Sequence, residues 1–171
     1  MTADVLAWVE DEASRAFPKE TGGVLMGWQR PERAEFVVVH AVGPGSGSLH
    51  ETHRFEPDND HHVEAVGDVY QRSGRKVTYL GDWHTHPRGA PVMSRTDRRT
   101  LGAIASHTPS RCPEPLMVVL GGSPDVGWDS TAHTWVPRRL WRWELPGSEV
   151  LRMRSWVPAI GELADIGYPY R

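Results

Sequence analysis

Val77-Thr78-Tyr79-Leu80-Gly81-Asp82-Trp83-His84-Thr85-His86-Pro87 is the stretch from which the rest of the chain is read. It opens on β-branched and aromatic residues, which suit a pleated strand, and it ends at a proline that cannot donate to a ladder. Side chains alternate along a strand, so His84 and His86 leave one face, with Asp82 two residues earlier on that same face. Thr85 points to the other side. Two imidazoles side by side at a strand end can hold one divalent metal ion.

Working upstream, Val5, Leu6, Val9, Ala13 and Phe17 recur at helical spacing between charged residues, which predicts an amphipathic helix capped near Asp4 and ended by Pro18. Gly22–Trp28 is a short apolar run that reads as a buried strand, and Glu35–Val42 as its hairpin partner across a turn holding Pro31. Gly43–His53, rich in glycine and serine, is expected to be a loop, and Gly43–Pro57 is a segment that could shape a groove. A second helix is predicted from a cap at Asn59 or Asp60 to about Arg72, stopped by Ser73-Gly74. Downstream, a third helix spans Arg95 to about Ser106, and Leu116–Leu120 is apolar enough for a central strand. Thr131–Leu145 suggests one or two closing strands broken near Pro137, Val150–Trp156 another, and the last fifteen residues give no pattern. This order of elements predicts a mixed α/β (α+β) domain in one unit, residues 1–171, with a core of about 5–145 and an extension over 146–171.

Composition narrows the function. With 171 residues, 39% hydrophobic and 24% charged, the chain suits one globular core, and 17 glycines and 14 prolines predict many turns. A net charge of −3 offers no global attraction to nucleic acid or anionic lipid. No run nears the ~20 apolar residues that span a bilayer, and Met-Thr-Ala-Asp-Val does not open a secretory signal. A cytoplasmic location is the expectation. The single cysteine, Cys112, cannot form an internal disulfide or a Cys-rich zinc site, and it lies in no nucleophile motif.

The chemistry concentrates around the two histidines. Ten residues separate His86 from Asp97, which falls in the first turn of the third helix, where a carboxylate can swing back over the strand end. Two nitrogens, one oxygen and an open fourth position form a catalytic rather than structural zinc pattern, although other first-row metals are compatible with it. Ser94-x-x-Asp97 also reads as an ordinary helix-capping pair. Histidines 50, 53, 61 and 62 show no ligand spacing and read as surface residues, and Glu20, beside Lys19 and a Thr-Gly-Gly turn, reads alone as a solvated charge. Asp82 either orients a histidine or ends exposed. The arginines 138, 139, 142, 152 and 154 read as solvated strand faces, and the tryptophans 128, 135, 141 and 143 as core or groove wall.

Taken together, His84-Thr85-His86-Pro87, Ser94-x-x-Asp97 and the upstream Glu20-Thr21-Gly22-Gly23-Val24-Leu25-Met26-Gly27 resemble the JAMM (JAB/MPN+) metalloprotease family over roughly residues 5–145. Leu80-Gly81-Asp82-Trp83 points toward the bacterial JAB-like deconjugases of anti-phage and conjugative-element operons. The resemblance implies a curved, mainly antiparallel sheet flanked by helices. It implies that His84, His86 and Asp97 bind one Zn2+, that Glu20 is the general acid/base, and that Ser94 stabilises the oxyanion. The reaction it implies is hydrolysis after the C-terminal tail of a ubiquitin-like protein, from a conjugated target or a precursor, beside E1/E2-like conjugation enzymes of the same operon. The alternative with the same site is release of a residue from a sulfur-carrier protein in a biosynthetic pathway. A catalytically silent scaffold would have lost motif residues, whereas all five are present; a cysteine hydrolase would depend on Cys112.

Overall fold

The computed structural model describes residues 1–171 except 137, 141, 142, 146, 160 and 167–171. Three helices, α1 (Ala3–Ala16), α2 (Asn59–Arg72) and α3 (Arg95–Ser106), surround ten strands: β1 (Gly22–Arg30), β2 (Glu35–Val42), β3 (Leu49–Glu51), β4 (Arg54–Glu56), β5 (Thr78–Pro87), β6 (Leu116–Ser123), β7 (Gly127–Trp135), β8 (Arg138–Leu140), β9 (Trp143–Leu145) and β10 (Ser148–Leu151). Six strands form one sheet in the order β10-β7-β6-β5-β1-β2, and β3-β4 and β8-β9 are separate two-stranded ribbons. Within the large sheet only β5 and β6 run parallel. A parallel pair needs a long crossover, and α3 lies in it.

The sheet is buried on both faces. Val5, Val9 and Ala13 of α1 pack with Leu25, Val38, Trp83, Val118 and Leu120 on one side. On the other side, Val69 of α2 packs with Val24, Met26 and Val39, and Leu101 of α3 packs with Met117 and Val119. Residues 116, 118 and 120 therefore serve α1 while 117 and 119 serve α3, which explains why the β6 run is apolar without alternation. Among the described residues no helix is long and apolar enough to cross a membrane.

One irregularity aims the site. Opposite β1, the register of β5 jumps between Gly81 and Tyr79, which leaves Leu80 as the extra residue of a bulge. A bulge turns a strand and can redirect a side chain. Here Leu80 and Trp83 enter the α1-side core, whereas Tyr79, Asp82, His84 and His86 all line the opposite groove. Gly81 makes this feasible: its φ is +144°, and a Cβ there would stand 1.8 Å from the Leu116 carbonyl oxygen.

Several sequence readings need amendment. Gly43–His53 is not all loop, because Leu49–Glu51 and Arg54–Glu56 pair as a hairpin; three-residue strands leave too little periodicity to read. The α2 cap is Asp58, whose carboxylate accepts the His61 N–H, rather than Asn59 or Asp60. α1 starts at Ala3, with Asp4 already in its first turn. The strand read at Val150–Trp156 is β10, which pairs with β7 and ends at Leu151. The break at Pro137 and the placement of Trp141 and Arg142 lie outside the described residues.

Candidate metal centre and groove

The end of β5 meets the first turn of α3, and that junction gathers the ligand candidates. The Nε2 atoms of His84 and His86 are 3.1 Å apart. Asp97 Oδ1 lies 3.3 Å from His84 Nε2, and Asp97 Oδ2 lies 3.5 Å from His86 Nε2. Ligands about 2.0–2.1 Å from a tetrahedral ion stand about 3.3–3.4 Å from one another. Each histidine nitrogen therefore stands about one tetrahedral edge from the other and from an Asp97 oxygen, a different oxygen for each, and the three side chains can offer two nitrogens and one oxygen to a single ion. His86 Nδ1 faces the Ala90 carbonyl oxygen at 3.4 Å. Only the ring can donate there, which leaves the Nε2 lone pair directed at the centre.

Asp97 is held in place by the start of its own helix. Ser94 Oγ accepts the Asp97 N–H at 3.1 Å, and Asp97 Oδ2 accepts the Ser94 N–H at 2.6 Å, a reciprocal capping box. The capping reading of Ser94-x-x-Asp97 is thus real and compatible with the other one. The cap uses the Ser94 oxygen as an acceptor, and its hydroxyl hydrogen stays a donor toward the groove that Ser94 lines. Burial works to raise the Asp97 carboxyl, but the His84 and His86 imidazoles and the Ser94 N–H hold it well below the usual carboxylate range. In return, the Asp97 carboxylate raises His86 against its own burial.

Glu20 sits in the connection between α1 and β1, on the wall of the same groove. Burial pushes its carboxyl above the ordinary range, opposed by His86 and His84. Its neighbour Thr21 is fully buried and is tied to Thr85 of β5 by three hydrogen bonds: Thr85 N–H donates to the Thr21 carbonyl at 2.9 Å, Thr85 Oγ1 accepts the Thr21 N–H at 2.9 Å, and the Thr85 hydroxyl donates to the Thr21 carbonyl at 3.4 Å. Thr85, between the two histidines, thus fixes the segment carrying Glu20. The five residues singled out from sequence all line one groove of about 1120 Å³ running between α2, α3 and the β3-β4 hairpin.

Other assignments come out differently. Asp82 does not orient a histidine: its Oδ1 accepts the Tyr79 O–H at 2.7 Å on the groove floor, and burial pushes its carboxyl up to about 6. Of the four histidines read as surface, His62 is buried and donates to the Gly43 carbonyl, and half-buried His50 contacts the Glu20 carbonyl. No ligand spacing marked either one, since both bond to backbone far away in sequence. Cys112 is buried, donates to the Leu80 carbonyl, and has its thiol pushed up to about 11 by burial, so it is kept from forming a thiolate.

A family described as prokaryotic homologs of the JAB domain matches residues 2–143. A probable metalloprotease, y4qB, of Sinorhizobium fredii is 37% identical over 128 residues, covering 73% of this chain and 74% of that protein. A CD-NTase/cGAS isopeptidase of Enterobacter hormaechei is 29% identical over 133 residues, 77% of this chain and 72% of that one. The solution structure of protein DSY2949 from Desulfitobacterium hafniense shares the fold, with a TM-score of 0.61 over 91% of both chains at 17% identity.

Proposed function

The chain belongs to the prokaryotic JAB family, and from that premise we propose that it is a zinc-dependent isopeptidase that cleaves after the C-terminal tail of a ubiquitin-like protein. The observation that carries the reading is the convergence of His84, His86 and Asp97 at metal-ligand spacing on a groove that also holds Glu20 and Ser94. Relatives described as a metalloprotease and as CD-NTase/cGAS isopeptidases support both the reaction and a protein substrate. When bound by these three residues, zinc supplies Lewis-acid chemistry, polarising the scissile carbonyl and bringing the acidity of water near neutral pH.

The chain's own residues do the rest. A Glu20 carboxylate oxygen takes the proton from the attacking water and returns it to the departing amine nitrogen as the C–N bond breaks and the new C–O bond forms. Partial desolvation, which raises the Glu20 carboxyl, suits a group that must both accept and release a proton. The Ser94 hydroxyl donates to the carbonyl oxygen as negative charge builds there. The hairpin edge and the groove walls accept the tail in extended form, backbone to backbone. The proposed setting is the cytoplasm, with the modifier's conjugating enzymes as operon partners.

The test is cleavage of a ubiquitin-like protein fused through its C-terminal glycine to a reporter, or joined to a lysine side chain. Activity is expected to vanish with a chelator, return with added zinc, and fall at least 1000-fold in Glu20→Gln with zinc affinity unchanged. Full activity after complete metal removal would refute the proposal.

A further inference from the structure

The β3-β4 hairpin stands outside the six-stranded sheet, yet it grips Glu20, two residues before β1, by both of its backbone polar groups. Glu20 N–H donates to the Glu51 carbonyl at 2.8 Å. The Glu20 carbonyl oxygen lies 2.9 Å from His50 Nδ1. A carbonyl only accepts, so His50 Nδ1 carries the proton. The ring's other nitrogen, Nε2, is 2.7 Å from Ser48 Oγ, and that hydroxyl is itself 2.7 Å from the Gly45 carbonyl. Phe55 supports the ring, with centroids 5.3 Å apart, and covers Gly22 so closely that a Cβ there would stand 2.8 Å from Phe55 Cε1. Asp58 anchors the base of the loop, accepting the Gly47 N–H at 2.9 Å while it caps α2.

Two consecutive residues are therefore held from opposite sides, Thr21 by Thr85 of β5 and Glu20 by the hairpin. Resting on the reading of Glu20 as the acid/base, we propose that His50 is a positioning residue: its Nδ1–H bond to the Glu20 carbonyl, with the ring set by Ser48, fixes the backbone from which the Glu20 carboxylate reaches the His84–His86–Asp97 centre. A long, flexible glutamate side chain gains precision only if its own peptide plane is pinned. Displacing a reacting group by about 1 Å can cost on the order of 100-fold in rate.

Asparagine places an N–H donor where His50 Nδ1 stands, whereas glutamine places one nearer Nε2. In the zinc-loaded protein acting on the reporter fusion, His50→Ala and His50→Gln are expected to lower kcat about 10- to 100-fold, with KM and zinc affinity within about threefold. His50→Asn is expected to recover most of the loss. Nitrogen NMR of the His50 ring should show a protonated Nδ1, and hydrogen exchange at the Glu20 amide should quicken in His50→Ala. An unprotonated Nδ1, or unchanged Glu20 exchange in the alanine variant, overturns the clasp. Equal losses in the alanine, glutamine and asparagine variants, or none in any of them, overturn the positioning role. If Glu20→Gln turns over at the wild-type rate, the proposed reaction fails and takes the role with it, a result told apart from failure of the clasp by the ring's protonation and the amide exchange.

Discussion

Thr85→Val removes one oxygen and keeps the side chain's shape. Thr85 and Thr21 are both fully buried, and Thr85 Oγ1 is the acceptor for the Thr21 N–H at 2.9 Å. The Thr21 carbonyl loses the long 3.4 Å bond from the Thr85 hydroxyl but keeps the Thr85 N–H at 2.9 Å, so the only group the substitution orphans is the Thr21 N–H. A buried donor left without a partner costs about 1–3 kcal/mol, and for a chain of this size 2 kcal/mol lowers Tm by about 4–8 °C. Urea unfolding should show a lower midpoint with the same m-value. Thr85→Ser provides the control: it keeps the acceptor and loses a methyl, about 1 kcal/mol of burial. Because the orphaned N–H is one peptide from Glu20, the valine variant should also lose kcat, about 10-fold or more, while the serine variant keeps it. A valine variant within 0.5 kcal/mol of the parent and fully active would refute this account of the Thr21–Thr85 contact.

The facing threonine should behave in the opposite sense: Thr21 Oγ1 is buried with no hydrogen-bond partner among the described residues, so Thr21→Val is expected to be neutral or stabilising by about 1 kcal/mol in the same urea assay. Gly23→Ala should destabilise by about 1–3 kcal/mol or more, because its Cβ would fall 1.9 Å from the Val42 carbonyl oxygen; a melt matching the parent would show that β1 and β2 separate more easily than their packing implies. Burial first, and then neighbouring His61, lowers the His62 imidazole below 6.5 despite its bond to the Gly43 carbonyl. A group whose folded pKa lies below its unfolded value gives stability that is present above 6.5 and lost as pH falls. Tm should therefore drop more steeply between pH 7 and 5 in the parent than in His62→Gln, and parallel slopes would contradict it.

The shared face of the two histidines was legible because strand alternation is a local rule: once 77–87 reads as a strand, His84 and His86 must share a side. The place of Asp97 was equally legible from the start of α3, where capping and the proposed ligation ask for the same carboxylate. The β3-β4 hairpin was not, since three-residue strands carry no usable period and owe their pairing to the turn between them and to the peptide of Glu20. Nor was the bulge at Leu80, which depends on how β1 and β6 flank β5 and which gives Gly81 its meaning.

From the order of its residues alone, this chain determined its helices, its main strands, the two histidines on one face and the aspartate one crossover away, because each of these follows from spacing along a single element. What the tertiary structure decided was convergence. The approach of the Asp97 carboxylate to His84 and His86 at 3.3 and 3.5 Å and the double hold on Glu20 and Thr21 join residues up to 64 positions apart, and the Tyr79 partner of Asp82 depends on the bulge between them. No local pattern encodes such contacts, since they exist only once separate elements have packed.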